Sequence, residues 1–161
     1  MKEHGDVLMP NYQTHLAGGA ITFAAVLVCI VPYTQPPVLT AGEWLLFALA
    51  GSLFPDIDIK SKGQKYFYWL VLLLLLILTY TKRFIPLAII SIVATIPLIS
   101  KHRGLFHRAW FVIAAPLITW QILSVYYPPI KTALLLDMIF FIAGALSHLW
   151  LDMGLKKMIR I

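Results

Sequence analysis

The sequence predicts an all-α membrane protein: a polytopic helical bundle of about six helices (five to six), with both termini in the cytoplasm. Three observations predict it. The 161 residues are 60% hydrophobic and only 12% charged, against about 25% charged in an average soluble domain. The mean hydropathy is +0.84. The apolar residues fall into runs approaching the roughly 20 residues that cross a bilayer, and stretches with turn chemistry separate them. The length suits a single membrane-embedded domain, residues 1–161, in which residues 1–14 form a polar N-terminal tail.

The first segment is Leu16 to Val31. The stretch before it, "MKEHGDVLMPNYQTH", is mixed in charge and has no apolar core, so it does not read as a cleaved signal peptide. The second segment runs from Val38 to Phe54 and is the weakest, because Gly42 and Glu43 interrupt it. The third is Phe67 to Tyr80, built on "WLVLLLLLILTY"; the fourth is Phe84 to Ser100. The fifth is Ala109 to Tyr127 and the sixth Ala133 to Leu151. The breaks are "VPYTQPP", "FPDIDIKSKG", "TKRF", "SKHRGLFHR" and "YYPPIK". Pro86, Pro97 and Pro116 sit inside segments, where membrane helices tolerate them. The small-residue cluster "LAGGA" suits close helix packing. The single cysteine, Cys29, excludes an internal disulfide and a cysteine-based metal site.

Positive charges orient the bundle. With six spans, the side holding the termini carries Lys2, Lys60, Lys62, Lys65, Lys101, Arg103, Arg108, Lys156, Lys157 and Arg160. The other side carries Lys82, Arg83 and Lys131. This excess places both termini in the cytoplasm of a multi-pass inner (cytoplasmic) membrane protein. The net charge of +6 then reads as attraction to anionic membrane lipid, not as a nucleic-acid footprint.

The scarce ionisable residues converge on that same side. His15 opens the first segment, and Asp56 and Asp58 follow the second. His102 and His107 lie between the fourth and fifth, and His148 and Asp152 close the sixth. His148 and Asp152 are four apart, on one helical face. Asp56 and Asp58 would diverge in a regular helix, so the spacing predicts a break into extended chain there, which points both the same way. Gly104 would let the chain turn between His102 and His107. An ionised Asp costs about 2.5–3.5 kcal/mol at the bilayer centre, and less near an interface. Carboxylates brought together still repel, and a divalent cation relieves that repulsion. Neutral imidazole with carboxylate suits Zn, Mn, Fe, Ni or Co. Each residue alone has a plainer reading: Asp56 as a turn residue, His148 as a packed histidine, and the basic 101–108 loop as a headgroup-binding loop. Asp137 reads as an acid in the first turn of the last helix, where it suits the dipole.

"THLAGG", "LFPDID", "HRGLFHR" and "LSHLWLD", in this order, resemble the motifs of the membrane-bound metal-dependent hydrolases, the YdjM-like group. That group pairs an N-terminal His with an L-P-D-x-D block, an H-R-G-x-T/S-H block and a late H-x-x-x-D. Two positions depart: Phe106 stands where Thr or Ser is usual, and Ile59 where a polar residue is common. The resemblance covers nearly the whole chain and implies a metal-dependent hydrolase with ligand types similar to those of helical zinc phosphoesterases. Together these readings give a site with one or two divalent ions, zinc first, held by His15, Asp56, Asp58, His102, His107, His148 and Asp152. Asp56 or Asp58 would act as general base. Arg103, with Lys101 and Arg108, would face an anionic group on a phosphorylated lipid or similar amphiphile, with phosphoester cleavage ahead of ester or amide cleavage. The rival readings are a metal-ion or small-solute transporter and a non-catalytic lipid-binding protein.

Overall fold

Asn11 starts the first helix. Its side chain accepts hydrogen bonds from the backbone N–H groups of Gln13 and Thr14, satisfying donors that a helix start leaves orphaned. The computed structural model describes residues 11–58, 62–80, 105–158 and several positions between 82 and 95, the side chains at 58, 74, 77, 78 and 155–158 excepted. Among the described residues there are five α-helices: α1 (Tyr12–Thr34), α2 (Val38–Leu53), α3 (Lys62–Tyr80), α4 (Ala109–Tyr126) and α5 (Lys131–Met158). The stretches Tyr12–Thr34, Val38–Ile57, Ala109–Tyr126 and Pro128–Gly154 are long and apolar enough to cross a membrane. The predicted fourth segment, Phe84–Ser100, lies largely outside the described residues.

Several boundaries differ from the sequence reading, each for a local reason. The Asn11 cap draws residues 12–14, read as tail, into α1. Helix α5 begins at Lys131, so Asp137 lies beyond its first turn; it is buried, 6% exposed, and is not a dipole cap. Phe54–Asp58 is a 3-10 helix rather than extended chain. A proline ends α2 as expected, but the tighter 3-10 turn takes over without straightening the backbone. Gly154, with a positive φ of 69°, breaks α5 just after Asp152 and Met153.

Helix α5 is the hub, packed by α1, α2 and α4. It runs parallel to α2 in a constant register, four residues per rung. Trp44 stacks on Phe140, with ring centroids 5.0 Å apart. The Ala48 carbonyl lies against Gly144, where a Cβ would overlap it. Ser52 O meets His148, and Asp56 comes level with Asp152. Gly51 makes the reciprocal close approach, against the Phe141 carbonyl. Small residues at such a crossing let two backbones meet where no hydrophobic drive separates helix from lipid. Gly18 and Gly19 bring α1 onto Leu151 and Ser52 in the same way, which agrees with the packing role read for "LAGGA". Near Asp56, a cluster of Leu53, Ile57, Phe67 and Phe106 closes the bundle. The outward faces carry exposed apolar side chains such as Ile21 and Val28, the surface expected of helices in lipid.

Candidate metal centre

Four elements deliver side chains to one end of this bundle. The 3-10 turn after α2 carries Asp56. The turn before α4 carries His107 and closes through an Arg108 N–H to Leu105 O hydrogen bond of 3.1 Å. The last turns of α5 carry His148 and Asp152, and the first turn of α1 carries His15. Contact between His15 and Asp152 brings the start of α1 and the end of α5 to the same end of the bundle.

Pro55 prepares the second rung from the end. In a 3-10 turn the Ser52 carbonyl would take an N–H from residue 55, and proline has none. That carbonyl accepts instead from His148 Nδ1, at 2.7 Å. A carbonyl can only accept, so the Nδ1 of His148 carries a proton, and its Nε2 points the other way. In the neutral ring that Nε2 is a bare lone pair. It is buried and makes no hydrogen bond, although it lies 3.1 Å from Asp152 Oδ2 and 3.5 Å from Asp56 Oδ1. A ring nitrogen tied to a backbone carbonyl, with its other nitrogen facing carboxylates, is the usual arrangement of a metal-ligating histidine.

The distances agree with that arrangement. His107 Nε2 lies 3.6 Å from Asp56 Oδ1 and 3.6 Å from Asp152 Oδ2. With the two His148 distances, three of the four nitrogen–oxygen separations are 3.5–3.6 Å, and the His148–Asp152 pair alone is shorter, at 3.1 Å. Hydrogen bonds between such atoms settle at about 2.7–3.2 Å. Tetrahedral zinc, with bonds of about 2.0–2.2 Å, holds its ligand atoms about 3.3–3.6 Å apart. One ligand atom from each of Asp56, His107, His148 and Asp152 lies within 4.8 Å of the other three. The residues therefore fit a divalent ion of the zinc type. His148 is fully buried, whereas Asp56, His107 and Asp152 leave 23%, 24% and 23% of the side chain exposed. The centre is thus anchored on its inner side and open on the outer. The facing carboxylates of Asp152 and Asp56 hold the His107 imidazole in its charged form, pushing its pKa up to about 9.

A family model described as YdjM inner membrane protein matches residues 9–161. The chain belongs to the YdjM inner membrane protein family. No curated protein and no solved structure matches it.

In this YdjM-family chain, five of the sequence-predicted ligands come together: Asp56, His107, His148, Asp152 and, beside them, His15. The i, i+4 pairing of His148 with Asp152 is seen at 3.1 Å. Arg108 is exposed next to His107. The Asp58 side chain, Lys101, His102 and Arg103 lie outside the described residues. Phe106, the departure from the family pattern, is 2% exposed. Its ring sits edge-on to Phe54 and Phe111, at 5.5 and 5.1 Å between centroids. It pins the turn from within while the neighbouring His107 faces the carboxylates. Two contributors escaped the sequence reading: the Ser52 carbonyl and the Gly51/Gly144 crossing. Pro55, three residues after Ser52, was the available signal for the first.

Proposed function

We propose that this YdjM-family protein is a multi-pass, metal-dependent hydrolase of the inner membrane, acting at the cytoplasmic lipid interface on a phosphorylated lipid or similar amphiphile. The observation that carries the reading is the cluster of two imidazoles and two carboxylates at tetrahedral spacing, open to one side at a bundle end. The excess of Lys and Arg on that side supports a cytoplasmic orientation. A catalytic zinc keeps three protein ligands and one open position. His107, His148 and Asp152 would hold it. A bound divalent ion supplies Lewis acidity and makes a water acidic enough to lose its proton near neutral pH. Asp56, 3.5–3.6 Å from both ring nitrogens, would act as the general base toward water at the centre, with Asp58 in support. Arg108, Arg103 and Lys101 face the anionic group of the substrate and offset the charge that grows during cleavage. Phosphoester cleavage is the first expectation.

The test is elemental analysis of detergent-purified protein, coupled to turnover of phospholipid and isoprenoid phosphate panels. Wild type should carry stoichiometric metal, and His148→Ala should lose it. Asp56→Asn should keep the ion and lose turnover. Metal-loaded wild type that cleaves no amphiphile sinks the hydrolase reading but leaves the centre standing. Loss of the ion from Asp56→Asn makes Asp56 a ligand, not the base.

A further inference from the structure

His15 belongs to the centre but not to the ligand set. It is the fourth residue of α1, where the Asn11 cap fixes the start of the helix. The Gly18 and Gly19 contacts press that helix onto α2 and α5, so the His15 ring is 2% exposed. The ring lies flat on His148, with centroids 3.7 Å apart and planes 14° from parallel.

That stack excludes a shared ion. An imidazole ligates through a lone pair in its own plane, so an ion held by His148 Nε2 lies in the His148 plane. It then stands off the nearly parallel His15 plane by close to the stacking distance, and zinc–nitrogen bonds reach only about 2.0–2.1 Å. His15 Nε2 instead faces Asp152 Oδ1 at 3.3 Å. The other oxygen of the same carboxylate, Oδ2, faces His148 Nε2 at 3.1 Å and His107 Nε2 at 3.6 Å. Asp152 is thereby divided: one oxygen is restrained from α1, and the other is presented to the ring nitrogens.

We infer that His15 is a positioning residue, which orients the Asp152 carboxylate through Nε2–H and the His148 ring through stacking, and so sets metal affinity without touching the ion. This inference rests on the metal reading proposed above. Outer partners of metal ligands typically change affinity about 10- to 100-fold.

Two substitutions separate the parts of this role. His15→Phe keeps a flat ring on His148 and removes the N–H; His15→Gln keeps an N–H donor and removes the ring. The full chain in detergent is titrated with Zn(II) against a chromophoric chelator, and with Co(II) for its visible spectrum. His15→Phe should bind one equivalent with a wild-type-like Co(II) spectrum, at an affinity 10- to 100-fold lower. His15→Gln should recover part of that loss. A His15→Phe protein that loses its ion as His148→Ala does, or whose Co(II) spectrum reports a lost nitrogen ligand, makes His15 a ligand and overturns the inference. Unchanged affinity in both variants overturns it as well. Wild type that binds neither metal overturns the metal centre itself, and is distinguished by having no ion to weaken.

Discussion

Substituting Gly144→Ala probes the crossing that sets the whole centre. A Cβ at this position would overlap the Ala48 carbonyl oxygen, and would stand 2.9 Å from its carbon and 3.0 Å from Ser52 N. Carbon atoms in contact rest about 3.5–4.0 Å apart. All three atoms are rigid backbone, so α2 and α5 must part by about 1 Å. The Ser52–His148 hydrogen bond, 2.7 Å now, would stretch to about 3.7 Å and fail. The Asp56–His148 separation of 3.5 Å would grow as well, and His148, without the carbonyl that orients its ring, would be a weaker ligand. Overpacking of this kind costs about 1–3 kcal/mol, and the lost hydrogen bond adds about 0.5–1.5 kcal/mol. Thermal unfolding in detergent and chelator competition should therefore both respond, with lower stability and metal affinity reduced at least 10-fold. Gly42→Ala is the control, since a Cβ at Gly42 meets nothing within 4 Å. It should be neutral or slightly stabilising, because alanine favours the helix by about 0.5–1 kcal/mol. Wild-type stability and metal affinity in Gly144→Ala would refute the glycine crossing as the device that brings Asp56 to His148.

Further outcomes follow from the same geometry. Phe106→Ala empties a buried ring site and should cost about 3–5 kcal/mol in denaturant unfolding; a cost below about 1 kcal/mol would remove Phe106 as the anchor of the His107 turn. In metal-free protein His107 titrates near 9, above its ordinary 6.5. Its pairing with the carboxylates therefore stabilises the fold fully below about pH 6.5 and ceases to do so as pH rises through about 9. Metal needs the neutral ring, so zinc affinity should rise with pH up to about 9, with a proton released on binding near neutral pH. Calorimetry in buffers of different ionisation heat checks this, and binding without proton release contradicts it. In a Cys29→Ser background, Arg108→Cys should react with a membrane-impermeant maleimide only from the cytoplasm, and Lys131→Cys only from outside; the reverse pattern puts the centre on the other face.

Much of this was legible because charge is scarce in the chain. On the sidedness expected from Lys and Arg placement, the His and Asp residues fell at one end, where the structure brings five of them together. The i, i+4 spacing of His148 and Asp152 needed only helical periodicity. The helix break at Pro55 was legible too, but not its form: proline ends a helix without stating whether a 3-10 turn or extended chain follows. The start of α1 was missed because hydropathy does not register a cap such as Asn11. The role of His15 was hidden for a different reason. Residue type says that an imidazole can ligate, and only the stacking of the His15 ring on His148 suggests the positioning role inferred above. Gly51 and Gly144 carry no chemistry in the sequence; their part depends on which backbone lies opposite.

The centre joins the first turn of α1 to the last turns of α5. Asp152 emerges from the ribosome 96 residues after Asp56, a delay of about 5–20 s at ordinary translation rates. Until then the early helices hold an acid and a histidine with nothing to close them. On the metal reading, an ion could be captured only once α5 has emerged, and a chain cut before His148 would lack two of the four clustered side chains.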